Sequence, residues 1–199
     1  MSYVKKIEYR IKPTKSYEIR RNCSGCGCKT IFHNTNCFRV NANGNKIDVW
    51  LIYQCSKCKH TYNLTIYERQ KPDCIPSREF SDFQHNSPEL AFQYGTDVSL
   101  FNRNKAEIAW DEIDYELEAI SSEEKNHPLL AGDCIVIHND FGIKIRTDKI
   151  IAELLSLSRN RLKQYMDDNT LMVTEKKQEK ETEILILKDI TLKKDCSES

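Results

Sequence analysis

Two Cys-X-X-Cys pairs carry the clearest chemical signal in this chain: Cys23-Ser24-Gly25-Cys26 and, after 28 intervening residues, Cys55-Ser56-Lys57-Cys58. Each pair, folded into a tight turn, aims two sulfurs at one point, and two such turns complete the tetrahedral shell that Zn²⁺ accepts from thiolates. Doubling the motif separates this pattern from a single pair of buried thiols. Gly25 and Gly27 offer the permissive backbone that a turn around a metal requires. Arg21, Lys29, Lys57 and Lys59 surround a centre that is itself anionic, and cations there lower thiol pKa values. The expectation is one structural zinc per chain, held by Cys23, Cys26, Cys55 and Cys58. Cys28 is the nearest rival of Cys26, and His33 and His60 are alternative ligands. A reversible dithiol pair and an iron-sulfur centre are the other chemistries the spacing admits. Four thiolates leave no open coordination position, so Lewis-acid catalysis is not expected.

A second candidate surface lies at residues 143–171. Thr147 and Asp148 are expected to cap a helix carrying Ile150, Ile151, Leu154 and Leu155. Ser158 is expected to cap the next one, with Leu157 before it and Leu162 after it arranged as a hydrophobic staple. Two helices joined by so short a link must turn sharply and pack antiparallel. Their exposed sides carry Lys144, Arg146, Lys149, Arg159, Arg161 and Lys163. Arg159 and Arg161 fall in the first turn of the second helix, where free amide hydrogens and the helix dipole already favour an anion, so phosphate contact is the chemistry expected. A solvated basic face is the plainer alternative. Elsewhere Glu112, Asp114, Glu116 and Glu118 form an acidic row that reads as a solvated sheet face rather than a cation site. His85, His127 and His138 stand in unrelated contexts, Cys134 sits in an apolar run, and Cys196 lies in a tail without apolar residues, expected to be a free thiol in a disordered segment.

These side chains need elements to hold them. Residues 37–41 and 46–54 read as strands around the Asn43-Gly44 turn signal, and Tyr62, Leu64 and Ile66 alternate in a further strand, so the cysteine region is expected to be a three- or four-stranded antiparallel zinc ribbon. A core that small contributes about 3–5 kcal/mol, against apparent values of about 10–16 kcal/mol for structural zinc, so the ribbon is expected to fold only with metal. Ser87-Pro88-Glu89 opens a helix. The acid and apolar alternation over residues 112–119 predicts a strand, residues 134–137 another, and residues 171–173 and 183–187 a hairpin with a charged loop. The fold class expected is α+β: a zinc ribbon at 1–72, a helical connector at 73–105, an α+β domain at 106–192 containing the helix pair, and a tail at 193–199.

The length of 199 residues, with 39% hydrophobic and 30% charged, suits one ordinary domain or two small ones and excludes a low-complexity chain. The longest apolar run, residues 49–53, is far short of a bilayer span, and the first thirteen residues lack the apolar segment of a secretory signal. A cytoplasmic protein without membrane contact is expected, and nine cysteines are then better explained by metal than by disulfides. A net charge of zero conceals +10 over residues 1–72, −11 over 73–142 and +1 over 143–199. Either the basic part meets a polyanion or it docks on the acidic part.

The runs Phe38-Arg39-Val40-Asn41-Ala42-Asn43, Asp48-Val49-Trp50-Leu51-Ile52-Tyr53-Gln54-Cys55 and Thr61-Tyr62-Asn63-Leu64, set between the two cysteine pairs, resemble a bacterial family catalogued as domain of unknown function 1062. The resemblance covers most of the chain, is most specific over residues 37–63, and implies a bacterial zinc-ribbon protein without implying an activity. Residues 144–155 followed by 157–162 are similar to the two helices of the S-four RNA-binding module of ribosomal proteins and pseudouridine synthases, which implies RNA contact. Asn169 stands where that module has glycine, and the hairpin after it is acidic. There is no glycine-rich phosphate loop, no Ser/His/Asp set and no evident small-molecule substrate, so an enzyme is not expected. The expected function is a zinc-ribbon protein contacting structured RNA or the ribosome through the basic helix pair. The alternative is a protein-protein adaptor, and a redox sensor using Cys28 or Cys37 ranks behind both.

Overall fold

Ile7, Tyr9 and Ile11 alternate with Lys6, Glu8, Arg10 and Lys12, the period of a strand, and they form β1 (Lys6–Pro13). The computed structural model describes residues 5–120 and 128–190. Chain contacts divide it into two compact units, Pro13–Tyr115 and a second one built from Met1–Lys12 together with Glu116–Ser199. Mixed sheets and helices make the fold α+β.

In Pro13–Tyr115, β2 (Ile19–Cys23), β3 (Cys28–Asn43), β4 (Lys46–Cys55) and β5 (Thr61–Gln70) form an antiparallel sheet in that order. The β3–β4 hairpin closes through Gly44-Asn45, with Asn43 opposite Lys46 and Gly44 at φ +62, a backbone region that glycine enters without penalty. A bulge between Asn34 and Phe38 shifts the register on β3. Residues 73–105 are not a connector. They form α1 (Ser77–Gln84), α2 (Pro88–Gly95) and α3 (Val98–Arg103), which pack on β3, β4 and β5. The reason is apolar burial: Phe83, Leu90, Ala91, Leu100 and Phe101 join Tyr17, Phe32, Leu51, Tyr53 and Leu64 in one core. Phe83 meets Phe38, Tyr67 and Tyr94 at ring-centroid distances of 5.0, 6.0 and 5.9 Å. The α2 start follows the sequence signal, with Ser87 Oγ accepting the Leu90 amide and Pro88 in the first turn.

The other unit holds β6 (Tyr115–Ala119), β7 (Cys134–His138), α4 (Thr147–Leu154), α5 (Arg159–Asp167), β8 (Leu171–Lys176) and β9 (Glu181–Ile186), with sheet order β6-β1-β7-β9-β8. β1 runs parallel to β7, and β9 pairs antiparallel with β7 and β8. Residues 134–137 are buried on both faces, as an internal strand requires, and Ile150, Ile151, Leu155 and Leu162 complete the core from α4 and α5. Three expectations change here. The acidic strand starts only at Tyr115, after a short 3-10 turn at Trp110–Glu112. Thr147 and Asp148 do not cap α4: Arg146 occupies that position without a side-chain cap, because the Asp148 carboxylate is taken by the Arg146 guanidinium. The unit boundaries differ from the segments read at 1–72, 73–105 and 106–192, since β1 crosses to the C-terminal sheet and α1–α3 join the cysteine-bearing sheet. Cys196, the tail and His127 lie outside the described residues.

The segmental charge is balanced inside each unit. Arg20 pairs with Asp111, Lys29 with Glu107 and Lys15 with Asp114 in one, and Arg10 with Asp140 and Lys12 with Glu118 in the other. The basic segment therefore docks on the acidic one, and within the acidic row Asp114 and Glu118 are paired. Being partly exposed and screened by solvent, these pairs orient the segments more than they stabilise them.

Candidate metal centre

Two turns of the same design bring the four cysteines together. In the first, the Gly27 amide donates to the Cys23 carbonyl at 2.9 Å, and in the second the Lys59 amide donates to the Cys55 carbonyl at 3.2 Å. Gly27 and Lys59 take left-handed backbones, φ +66 and +65. The register then sets the turns against each other: β3 places Phe32 opposite Cys55, and the Ser56 amide donates to the Ile31 carbonyl at 3.0 Å. Ser24 Oγ lies 2.9 Å from His60 Nε2, a side-chain bridge between the two turns.

The Sγ atoms of Cys23, Cys26, Cys55 and Cys58 all lie within 4.8 Å of one another, with Cys23 and Cys58 at 3.3 Å and Cys26 and Cys55 at 3.8 Å. A tetrahedral site with metal–sulfur bonds of about 2.3 Å has edges of roughly 3.8 Å. The cluster thus has the dimensions of a four-thiolate metal site. The rivals stand elsewhere: His60 is engaged with Ser24, Cys28 is exposed on β3 opposite Cys23, and His33 lies on β3 opposite Gln54. The Cys55 thiol is drawn down to about 5, first by the Cys58 amide, then by the Thr30 hydroxyl at 3.3 Å and the Lys57 amide. The Cys26 thiol is pushed up to about 12, first by its contact with Cys58 and then by burial and its contacts with Cys55 and Cys23. A cation among the sulfurs would favour their ionised forms. Thr30 and Ser24 are supports that the sequence did not announce, because a hydroxyl near a cysteine is too common to be a signal.

Gly25 is required by space rather than by backbone freedom. A Cβ there would stand 2.9 Å from Cys58 Sγ and 3.8 Å from Cys23 Sγ. Gly25→Ala is expected to weaken metal retention by roughly 10–100-fold, the scale seen when groups supporting metal ligands are lost. Gly27→Ala meets no atom within 4 Å and carries only the left-handed backbone cost, about 1–2 kcal/mol. Competition with a colorimetric chelator ranks the two variants.

The basic residues read from sequence belong to the other unit. Arg146 is bound by Asp148 at 3.0 and 2.6 Å. Ser158 Oγ accepts the Arg161 amide, capping α5, and the Arg161 guanidinium lies 4.6 Å from the Tyr165 ring centroid. Lys144, Lys149, Arg159 and Lys163 are exposed. Among the described residues no helix is long and apolar enough to cross a membrane.

Fold and site together define an α+β protein with a four-cysteine cluster on an antiparallel sheet. The chain belongs to the family described as protein of unknown function (DUF1062), whose profile matches residues 40–177. That span includes Cys55, Cys58 and the α4–α5 pair, while Cys23 and Cys26 precede it. No curated protein and no solved structure matches the chain.

Proposed function

We propose that the four thiolates hold one structural Zn²⁺ and that the protein is a binding protein rather than an enzyme, meeting the phosphate backbone of structured RNA, alone or in the ribosome, through α4 and α5. Thiolate donors at tetrahedral spacing favour zinc, and a shell filled by protein ligands leaves no position for substrate. The RNA reading rests on α5, where Arg159, Arg161 and Lys163 are exposed along one short helix and Tyr165 holds the Arg161 guanidinium in place. Lys144 and Lys149 flank them, and Arg146 is paired with Asp148. The likeness of residues 144–162 to the S-four helices adds support.

Metal analysis of the purified protein is expected to return one equivalent of zinc. Filter binding to total cellular RNA over a salt series tests the second part. Substituting Arg159 and Arg161 together by Ala is expected to weaken binding across many sequences and to flatten the log–log salt slope by roughly 0.7–1 for each lost phosphate contact. Both side chains are exposed, so the fold should survive. An affinity unchanged by the double substitution removes the RNA reading and leaves the adaptor.

A further inference from the structure

A cavity of about 530 Å³ opens beside the first cysteine turn, lined by Arg20, Arg21, Lys29, Tyr62, Lys105 and Glu107 together with Asn22 and Asn104. Its walls carry four cations against one carboxylate. Two of the cations are already matched: Arg20 Nη2 lies 2.9 and 2.8 Å from the two Asp111 oxygens, and Lys29 Nζ lies 2.6 Å from Glu107. Arg21 and Lys105 have no carboxylate partner among the described residues. Arg21 and Lys105 thus line one cavity with their charges unmatched.

The Arg21 side chain is held in place. Cross-strand register puts Arg21 opposite Thr30 and Ile19 opposite Phe32, so Arg21 and Phe32 share a sheet face, and the guanidinium reaches over Phe32 at 5.8 Å to stack on Tyr62 at 3.6 Å from the ring centroid. Stacking occupies a face of the guanidinium and leaves its N–H edge for an oxyanion, in the fork geometry that suits phosphate or carboxylate. The ordering entropy of that arginine is already met by the aromatic contacts. Lys105 follows Asn104, the C-cap of α3, with φ +52, a position where glycine is the unstrained choice, yet a lysine stands there at the cavity wall.

We infer that this cavity binds a small phosphate monoester. A monoester phosphate near neutral pH approaches two negative charges, matching Arg21 and Lys105, whereas one carboxylate would leave one cation uncompensated. The volume is within the range of small-ligand sites and exceeds what inorganic phosphate alone would fill, so room remains for the organic part beside Tyr62, Asn22 and Asn104. The site lies in Pro13–Tyr115 and involves none of the α4 and α5 residues, so it stands or falls separately from the RNA reading.

Isothermal titration of the full chain at low salt with AMP, ribose 5-phosphate, adenosine and succinate is the test. The two phosphate esters are expected to bind with one site per chain, adenosine not to bind, and succinate to bind more weakly than either ester. Lys105→Ala and Arg21→Lys should each weaken ester binding by roughly tenfold or more while keeping the wild-type metal content, which reports an intact cysteine end. Lys105 is exposed, so that variant serves even where Arg21→Lys perturbs the turn. Absence of ester binding, adenosine binding as tightly as AMP, succinate binding more tightly than the esters, or wild-type affinity in Lys105→Ala overturns the inference.

Discussion

If the cysteine cluster holds the proposed zinc, removing it with a strong chelator is expected to lower the melting temperature of Pro13–Tyr115 by more than about 20 °C, given about 4–8 °C per kcal/mol for a unit of this size. Apparent free energies of about 10–16 kcal/mol for structural zinc leave room for a loss of several kcal/mol even where the apo chain retains structure. The cysteine end carries the effect. Cys23 and Cys55 are buried, but Cys26 is half-buried and Cys58 exposed, so the outer sulfurs lose their common ligand once the cation is gone. Cys26→Ser should reproduce the shift without chelator. The structure alters the stronger expectation that this region folds only with metal. A ribbon standing alone would depend on the metal, whereas this sheet is backed by α1–α3 and an aromatic core, so amide exchange should accelerate first at residues 23–28 and 55–60. Calorimetry with and without chelator measures the shift, and an unchanged transition in Cys26→Ser would remove the structural role of the metal.

Phe83→Ala should destabilise the same unit by about 3–5 kcal/mol, the range for truncating a buried aromatic, with a further contribution from its ring contacts. Phe83 is 1% exposed and joins α1 to β3 through Phe38 and to β5 through Tyr67. Were residues 73–105 a connector, the substitution would leave the metal-dependent transition where it is. With α1 built into the core, that transition should move down and stay single. Denaturant unfolding followed by tryptophan fluorescence and by zinc release distinguishes the outcomes, since Trp50 lies on β4 and Trp110 packs on Tyr17.

What was legible in the sequence was local. The cysteine spacing announced a cluster because turn geometry, not distant packing, aims the sulfurs. Ser87 and Ser158 announced their helices because a cap is settled within a few residues. The Thr147-Asp148 cap failed on an equally local competitor, Arg146, whose guanidinium claims the carboxylate. The alternation of Ile7, Tyr9 and Ile11 was present, but nothing nearby could have named its partner, since β7 begins 128 residues after Lys6. The cavity was equally hidden. Arg21, Tyr62 and Lys105 meet through sheet curvature and helix placement, so no spacing rule connects them. The segmental charge imbalance was visible, and deciding that it is largely internal pairing took the geometry of Arg20 with Asp111 and Lys29 with Glu107.

The parallel pairing of β1 with β7 also bears on the order of events during synthesis. Residues 13–115 emerge as a continuous piece and hold everything their sheet, helices and cysteine cluster require. β1 emerges before any of them, yet its neighbour β7 is made only after that whole piece, and β9 and β8 later still. Closing so long a loop is entropically slow. The nascent chain therefore carries an unpaired, half-apolar strand ahead of the inserted unit while that unit folds behind it. Such an edge invites pairing with the wrong neighbour. The charges at Lys6, Glu8, Arg10 and Lys12, which alternate with its apolar residues, are the gatekeepers that keep the waiting strand solvated until its own partner arrives.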